Sequence, residues 1–303
     1  MKKALAMELR QLKYFIKAAE LQNFTEAANL SFITQSTLSQ QIKQLEDELG
    51  ILLFDRLGKR VRLTEAGQLF LPYAQKTAKD AQDGSDILKD LMNLETGTLT
   101  IGITYGLMHV LTKAIEDFSQ QRPNIRLLIN FGTTSELLAN LEQGKVDMVL
   151  SFLPVQQNSA YHSQKLFSSS LSLIAHKNHT CTKNKQVKLK ELEKLQLLLP
   201  SAGYSIRNYF DKITVKHGVN INVQMEVNDI NMLLQLVDTG KWCTVLMASS
   251  IYQHPELRAI KITGDGMERE ATITWWANTY QKKAACLMAD CLKKYSAIYS
   301  IDQ

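Results

Sequence analysis

Disulfide chemistry has little scope in this chain. Its 303 residues hold four cysteines, Cys181, Cys243, Cys286 and Cys291, with no CxxC pair among them. That spacing argues for a reduced, cytoplasmic setting and for inert thiols. Cys286 and Cys291 lie five apart on a predicted helix, hence on different faces. Long apolar runs are missing too. The longest, around Leu197–Leu199 and Val245–Ala248, are strand-sized, well short of the roughly 20 residues a membrane span needs. The opening Met1-Lys2-Lys3-Ala4-Leu5-Ala6 meets Glu8, Arg10 and Lys13 where a signal peptide would need an apolar core, so secretion is not expected. There is no internal repeat and no low-complexity segment.

Catalytic fingerprints are equally scarce. No GxSxG elbow, GxxxxGK[ST] loop, HExxH or GxGxxG stretch occurs. Asp147 has no partner acid or base in the pattern and is expected at a turn or strand end. His176, His179 and Cys181 fit no tight zinc spacing, so neither metal nor cofactor is expected. A metabolic enzyme built on the C-terminal lobes, with the N-terminal helices for oligomerisation, is the rival that these absences disfavour. Charge of one sign is in small excess: 35 Lys and Arg against 30 Asp and Glu give +5, compatible with nucleic acid without demanding it.

The first 63 residues read as short helices followed by a hairpin. Leu9, Leu12, Phe15, Ile16 and Ala19 recur at helical spacing. Thr25 is the expected cap of a short helix reaching Leu30. Thr34 caps a third helix that Gly50 ends. On that helix Leu38, Ile42, Leu45 and Leu49 form one stripe, leaving Gln35, Ser36, Ser39, Gln40 and Lys43 on the opposite face. Leu52–Leu63 reads as strand–turn–strand with Gly58 at the turn and Arg56, Lys59, Arg60 and Arg62 around it. A helix from Thr64 to about Leu94 follows, kinked at Pro72 and weakened at Gly84. Its Phe70, Tyr73, Ala74, Ala78, Ala81, Leu88 and Leu91 suggest a seam that faces a partner.

After Gly97 the pattern becomes alternating strands and helices. Leu99–Thr104, Leu107–Gln120, Ile125–Phe131, Ser135–Gln143 and Val146–Phe152 make βαβαβ, a parallel doubly wound unit. A second set has strands at Leu171–His176, Gln196–Leu199, Ile221–Val227 and Cys243–Met247, and a helix at Ile230–Thr239. A late strand at Ala271–Ala277 and a closing helix at Lys282–Tyr299 complete two α/β lobes with a cleft between them.

Small Ala27 and Ala28 let two helices cross closely, as a helix–turn–helix requires. The polar face of the second helix then suits a DNA major groove. Gln35 can pair with adenine, Ser39 can donate or accept, and Lys43 can reach guanine or phosphate. Four of the five bases in this segment cluster in the hairpin, whereas Glu46, Asp47 and Glu48 lie on the far half of the helix. A solvated helix face would share the periodicity; the placement of charge favours DNA.

At these residues the chain resembles the LysR-type transcriptional regulators. The run ELRQLKYFIKAAELQNFTEAANLSFITQSTLSQQIKQLEDELGILLFDRLGKRVRLTEAG follows that family's N-terminal pattern nearly throughout. TQSTLSQQIKQLEDELG (Thr34–Gly50), LFDR and LTEAG are its most specific parts. IGIT at Ile101, RPNI at Arg122 and GKVDMVL at Gly144 extend the likeness. The resemblance implies an α/β protein with an N-terminal winged helix–turn–helix over residues 1–65 and a dimerising linker helix over 66–96. Residues 97–303 would be a two-lobed α/β effector domain like type II periplasmic binding proteins, with lobe I at 97–167 and 268–303 and lobe II at 168–267. It implies double-stranded operator DNA, a small effector, self-association to a dimer or tetramer, and RNA polymerase as partners, with no membrane. Thr34, Gln35, Ser36, Ser39, Gln40 and Lys43 of the helix, with Arg56, Lys59 and Arg60 of the wing, are the expected DNA contacts. Gln40 stands where many members have Arg.

For the cleft, ligands of such folds sit where strand ends meet helix N-termini, whose free N–H groups favour an anionic effector. Thr104, Tyr105, Gly106, Thr133 and Thr134 from one lobe, and Ser201, Arg207, Asn228 and Asp229 from the other, are the expected contacts. Against the family pattern, Gly106 replaces a hydroxyl residue, Gly240-Lys241-Trp242 replaces Gly-x-Gly, and Met247 replaces proline. Trp242 is open to two readings, cleft-lining or core.

Overall fold

The computed structural model describes residues 7–57, 60–91, 96–153, 160–277 and 280–297. Gly58, Lys59, Leu94 and Tyr299, named above, lie outside the described residues. The chain forms two compact units, 1–92 and 93–303, taken here in turn.

In the first unit, helices α1 (Leu9–Leu21), α2 (Phe24–Leu30) and α3 (Gln35–Leu49) surround one apolar centre. Leu12, Phe15 and Ala18 of α1 and Leu38, Ile42 and Leu45 of α3 are buried in it, and Ala27 and Ala28 expose no surface. The cap of α2 is Asn23 rather than Thr25. Asn23 Oδ1 accepts from the backbone N–H of Thr25 at 2.9 Å and of Glu26 at 3.2 Å. Asn23 occupies the extended backbone a cap needs, which leaves Thr25 inside the first turn. Thr34 caps α3 through Thr37 N at 3.2 Å, and Gly50, at φ +70°, ends it in the left-handed region.

A buried carboxylate joins α3 to the hairpin. Glu46 is 4 % exposed, and its Oε1 accepts from the N–H of Leu53 at 2.8 Å and of Phe54 at 3.1 Å. Charge-assisted bonds of this kind each contribute roughly 1.5–3 kcal/mol. They set the start of β1 (Phe54–Leu57), which pairs antiparallel with β2 (Arg60–Leu63). Helix α4 (Glu65–Leu91) then runs unbroken through Pro72 for 27 residues, about 40 Å at ~1.5 Å per residue. Phe70 and Ala74, expected on a partner-facing seam, pack into this unit's own core instead. The Phe70 ring lies 5.4 Å from that of Phe15, and Ala74 is buried. Leu69, Tyr73 and Leu88 are the large apolar residues exposed on the described part of the helix, Ala81 is exposed beside them, and nothing is described for the Leu91 side chain.

In the second unit, β3 (Gly97–Ile103), α5 (Met108–Gln121), β4 (Ile125–Phe131), α6 (Thr134–Glu142) and β5 (Met148–Phe152) form a parallel trio in the order β4-β3-β5. Asp147 stands just before β5. It accepts from Thr100 N at 2.8 Å and pairs with Lys282 at 3.1 Å, a structural role at a strand end. Strand β6 (Tyr161–His176) is sixteen residues long and leads into the second lobe. There follow β7 (Gln186–Lys188), β8 (Gln196–Pro200), α7 (Ser205–Lys216), β9 (Asn222–Val227), α8 (Ile230–Asp238), β10 (Cys243–Met247) and β11 (Leu257–Thr263). Strand β12 (Glu268–Trp276) returns to the first lobe, and α9 (Lys283–Ser296) closes the described chain.

The sheet path is β4-β3-β5-β12-β6-β10-β8-β9, with β11 between β6 and β7. Both parallel trios are thus completed by antiparallel strands, a mixed architecture that the doubly wound reading did not include. Helix α7 and strands β7 and β11 were also absent from that reading. No helix among the described residues is long and apolar enough to cross a membrane.

Two glycines of α4 predict opposite outcomes. A Cβ on Gly67 would lie 2.2 Å from the carbonyl oxygen of Leu53 and 2.9 Å from Leu63 Cδ2, whereas one on Gly84 would meet nothing within 4 Å. Gly84→Ala is expected to stabilise by about 0.5–1 kcal/mol through helix propensity. Gly67→Ala is expected to cost about 1–3 kcal/mol through overpacking. Denaturant unfolding of both variants followed by circular dichroism checks the signs; equal effects would contradict the close approach.

Candidate functional site

Two surfaces collect the predicted residues. On α3, Gln35, Ser36, Gln40 and Lys43 are exposed and Ser39 is half-exposed, all opposite the buried stripe. Thr34 belongs to the helix start: its hydroxyl accepts from Thr37 N and lies 2.9 Å from Ser36 Oγ, so it is engaged locally. Because Glu46 turns inward to the hairpin, its charge is withdrawn from this face. In the hairpin, Arg56 stands opposite Val61 and Arg60 opposite Leu57 in the backbone register, and Arg62 is exposed. Lys59 lies outside the described residues. The sequence reading passed over Phe32, which is 95 % exposed at the turn before α3 with φ +56°. The left-handed backbone closes the end of α2, where Phe32 N–H donates to Asn29 O and Ile33 N–H to Ala28 O, each at 3.1 Å, and it leaves the ring in the open.

The second surface is a cleft of about 610 Å³ between the lobes of the C-terminal unit. Thr104, Tyr105, Gly106, Thr133, Asn228 and Asp229 line it. Three of the expected contacts do not. Thr134 is buried behind Thr133 at the start of α6. Ser201 sits in the turn that leads to α7, its N–H donated to Val227 O at 3.0 Å. Arg207 is consumed structurally: Nε pairs with Asp211 at 2.9 Å, one turn on, and a terminal nitrogen with Glu226 of β9 at 2.9 Å. Another terminal nitrogen donates to Pro200 O at 2.9 Å. The guanidinium therefore faces its own sheet and not the cleft.

Four helices begin at the cleft, α5 through the short turn Tyr105–Leu107, and α6, α7 and α8; two of them bring their own anion. Thr133 caps α6 in a reciprocal box with Glu136, and Asp229 caps α8 by accepting from Met232 N at 2.7 Å. Helix α7 begins at Tyr204 with no side-chain cap. Among the described residues the lining contains these two carboxylates and no Lys or Arg. Phe131, Phe152, Leu246 and Met247 supply an apolar wall, and the Thr104 hydroxyl is buried with no hydrogen-bond partner among the described residues.

Two tyrosines close the lining, one of them across the lobes. The Tyr105 hydroxyl donates to Asn231 Oδ1 of the other lobe, and that of Tyr204 donates to the Asn228 carbonyl. Burial, then the charge of Asp229, pushes the Tyr105 phenol up; burial, Asp229 and Glu136 do the same for Tyr204. Gly106 is not an empty slot, because a Cβ there would lie 2.8 Å from the Phe152 ring and 3.0 Å from Ser250 Oγ. Trp242 does not line the cleft; it is half-buried against the core beneath α8. Asn231, Glu136 and Ser250 were missed by the sequence reading and carry no motif.

The thiols are less scattered than their spacing implies. Cys181 Sγ lies 3.8 Å from Cys243 Sγ and 2.9 Å from His179 Nδ1. Contact with Cys243 and with His179 lowers the Cys181 thiol, while that of Cys243 is raised. His176 instead faces Glu256 at 3.7 Å.

Comparison with known proteins assigns both units to known domain families. Residues 9–68 match the family model described as bacterial regulatory helix-turn-helix protein, lysR family, and residues 93–297 match the LysR substrate binding domain. A relative in Bacillus subtilis (strain 168), the uncharacterized HTH-type transcriptional regulator YwqM, is 34 % identical over 77 % of this chain and 80 % of its own. A probable RuBisCO transcriptional regulator of Phaeodactylum tricornutum is 27 % identical over 96 % of this chain and 97 % of its own. Among solved structures, a full-length OxyR variant from Pseudomonas aeruginosa covers 95 % of both chains at TM-score 0.76 and 26 % identity. Full-length CbnR complexed with its target DNA shares the fold at TM-score 0.68 and 22 % identity, covering 95 % of this chain and 100 % of its own.

The electrostatics of the cleft can be read directly. Asp229→Asn keeps an acceptor for Met232 N while removing the charge beside both tyrosines. A phenol loses its proton more readily when a neighbouring anion is removed, so Tyr105 and Tyr204 should ionise at lower pH than in the parent protein. Spectrophotometric titration, with Tyr105→Phe and Tyr204→Phe to assign the transitions, checks this; superimposable curves would refute it.

Proposed function

The chain belongs to the LysR family of transcriptional regulators, and from that premise we propose how its parts divide the work. It is a regulator with a helix–turn–helix DNA-binding domain and a substrate-binding domain, and not an enzyme. The observation that carries the DNA reading is the polar face of α3, exposed along its length while Glu46 anchors the opposite side to the hairpin. Gln35, Ser36, Ser39, Gln40 and Lys43 read base edges or backbone in the major groove. Arg56, Lys59 and Arg60 meet phosphates or the minor groove as a wing.

Residues 66–96 act as the dimerising linker, with Leu69, Tyr73 and Leu88 of α4 as apolar contacts that a single chain leaves exposed. Two recognition helices then enter successive major grooves about 34 Å apart, and two dimers make a tetramer. The protein works in the bacterial cytoplasm, and RNA polymerase is its partner at an activated promoter.

The effector site is the cleft, with Thr104, Tyr105, Thr133, Asn228 and Asp229 as contacts. The expectation of an anionic effector finds no cationic side chain among the described lining residues: Arg207 is spent elsewhere, and two of the four helix N-termini already carry Glu136 and Asp229. An uncharged or cationic ligand with an apolar body suits this lining better. Binding shifts the population between lobe arrangements and so changes how the oligomer sits on or bends DNA.

Fluorescence anisotropy on the upstream intergenic DNA, against shuffled DNA at two salt concentrations, tests the first half. Gln35→Ala should cost about 1–3 kcal/mol on the preferred sequence and relax preference at one position. Arg56→Ala should weaken all sequences alike and shallow the salt slope by about one unit. If both variants lose affinity equally on specific and random DNA, direct readout by α3 is wrong.

A thermal-shift screen of small molecules sorted by charge tests the second half. Neutral or cationic compounds should raise the unfolding temperature, and Asp229→Asn should weaken the cationic ones. Stabilisation by anions alone would refute the assignment.

A further inference from the structure

Outside the cleft, three metal-ligating side chains converge on the second lobe. Strand β6 ends at His176, and a short 3₁₀ turn over Thr180–Lys183 follows, with His179 as its N-cap. That turn folds back so that His179 and Cys181 meet Cys243, the first residue of β10, whose backbone partner on β6 is Ala175. Cys243 is buried, while His179 and Cys181 are half-buried. His179 Nδ1 lies 2.9 Å from Cys181 Sγ and 3.6 Å from Cys243 Sγ, and the two sulfurs are 3.8 Å apart.

We propose that His179, Cys181 and Cys243 form a binding site for a thiophilic divalent ion of the zinc class. The distances decide in its favour. A tetrahedral centre with metal–sulfur bonds of about 2.3 Å and a metal–nitrogen bond of about 2.0–2.1 Å holds its sulfurs about 3.8 Å apart and nitrogen and sulfur about 3.6 Å apart. Two edges of the triangle already have these lengths. The third, at 2.9 Å, must open by about 0.7 Å to reach that geometry, and both its ends lie in one short exposed turn that can give.

Two thiolates and an imidazole are a soft-to-borderline set, which favours zinc over magnesium or calcium. The Nδ1 lone pair now accepts the Cys181 N–H at 3.3 Å, so metal binding would exchange that long cap bond for the metal–nitrogen bond. Three protein ligands leave a fourth position for water on the half-exposed side. Binding would deprotonate both thiols, the two protons leaving to solvent, with no change in oxidation state. It would also pin the turn after β6 to β10, whose far end, Leu246 and Met247, lines the cleft.

The experiment uses the full-length protein, reduced with a phosphine, and cobalt(II) as a spectroscopic stand-in for zinc. The expected result is one equivalent bound, with a thiolate-to-cobalt charge-transfer band and the intense visible bands of a four-coordinate ion, both erased by zinc. Cys181→Ser and Cys243→Ser should each abolish them, and His179→Ala should weaken binding at least tenfold. Cys286→Ser should leave them intact. Cys243 is buried, so its variant can fail by misfolding; Cys181→Ser on the half-exposed turn keeps the test open, with circular dichroism as the folding control. Zinc should raise the unfolding temperature of the parent protein and not of Cys181→Ser. Absence of the charge-transfer band in the reduced parent, or a band that survives in folded Cys181→Ser, overturns the site.

Discussion

The C-terminal unit depends on the antiparallel ladder between β6 and β12. These two strands carry the chain out of one lobe and back, and β6 belongs to both halves of the sheet. Its first part pairs with β12 from Tyr161 to Ser170, and its last part with β10 and β11 from Leu171 to His176. Sixteen residues at about 3.3 Å each make a continuous element of some 50 Å, so the lobes are fixed by one ladder and not by a flexible tether. With that ladder set, the parallel trio on each side must present its strand ends, and the helix N-termini beyond them, to the same gap. The cleft follows from topology. A local irregularity at Ala271 and Thr272, where Leu166 has no opposite number, is the point at which the ladder bends.

In the N-terminal unit, polar groups are assigned so that one helix face is left free. Glu46 could have put a negative charge beside Lys43; it is instead drawn inward to two backbone N–H groups that a tight hairpin would otherwise leave unpaired. Gly67 then lets α4 press on the Leu53 carbonyl, which no other residue could permit without a shift. Both devices hold the hairpin against α3 without drawing on the exposed residues. The face of α3 keeps Gln35, Ser36, Gln40 and Lys43 for an outside partner because the inner half of the same helix does all the structural work.

Much of this was legible in the sequence where the cause is local. The stripe of α3, its Thr34 cap and its Gly50 stop are i to i+4 relations, and each falls where the pattern put it. The cap of α2 was misplaced by two residues because Asn23 and Thr25 are both good caps and only the backbone angle separates them. The six cleft residues that were found lie at strand ends, where the βα rule applies. Arg207 was misassigned because its partners Asp211 and Glu226 come from α7, which was not foreseen, and from β9. The proximity of Cys181 and Cys243 could not have been read at all, since 62 residues and three strands separate them in the chain.

How the cleft could switch is a question of magnitudes. The direct side-chain bond from Tyr105 to Asn231 spans it, and a bond of that kind contributes only about 0.5–1.5 kcal/mol net. Such a latch biases an equilibrium by roughly two- to tenfold and cannot lock it. A ligand that competed for the bond alone would therefore move the population little. Apolar burial is the larger lever: covering about 100 Å² of apolar lining contributes roughly 2.5 kcal/mol, and the exposed Phe131 ring offers more of it than Phe152, Leu246 and Met247, which are already buried. Only the part of that area covered in one lobe arrangement and not the other counts toward a shift. Phe131 comes from the first lobe and the half-buried Ile206 from the second. A ligand touching both at once gains most from the arrangement that brings them together. The polar rim then sets which ligand enters, and the divided apolar wall sets what its entry does.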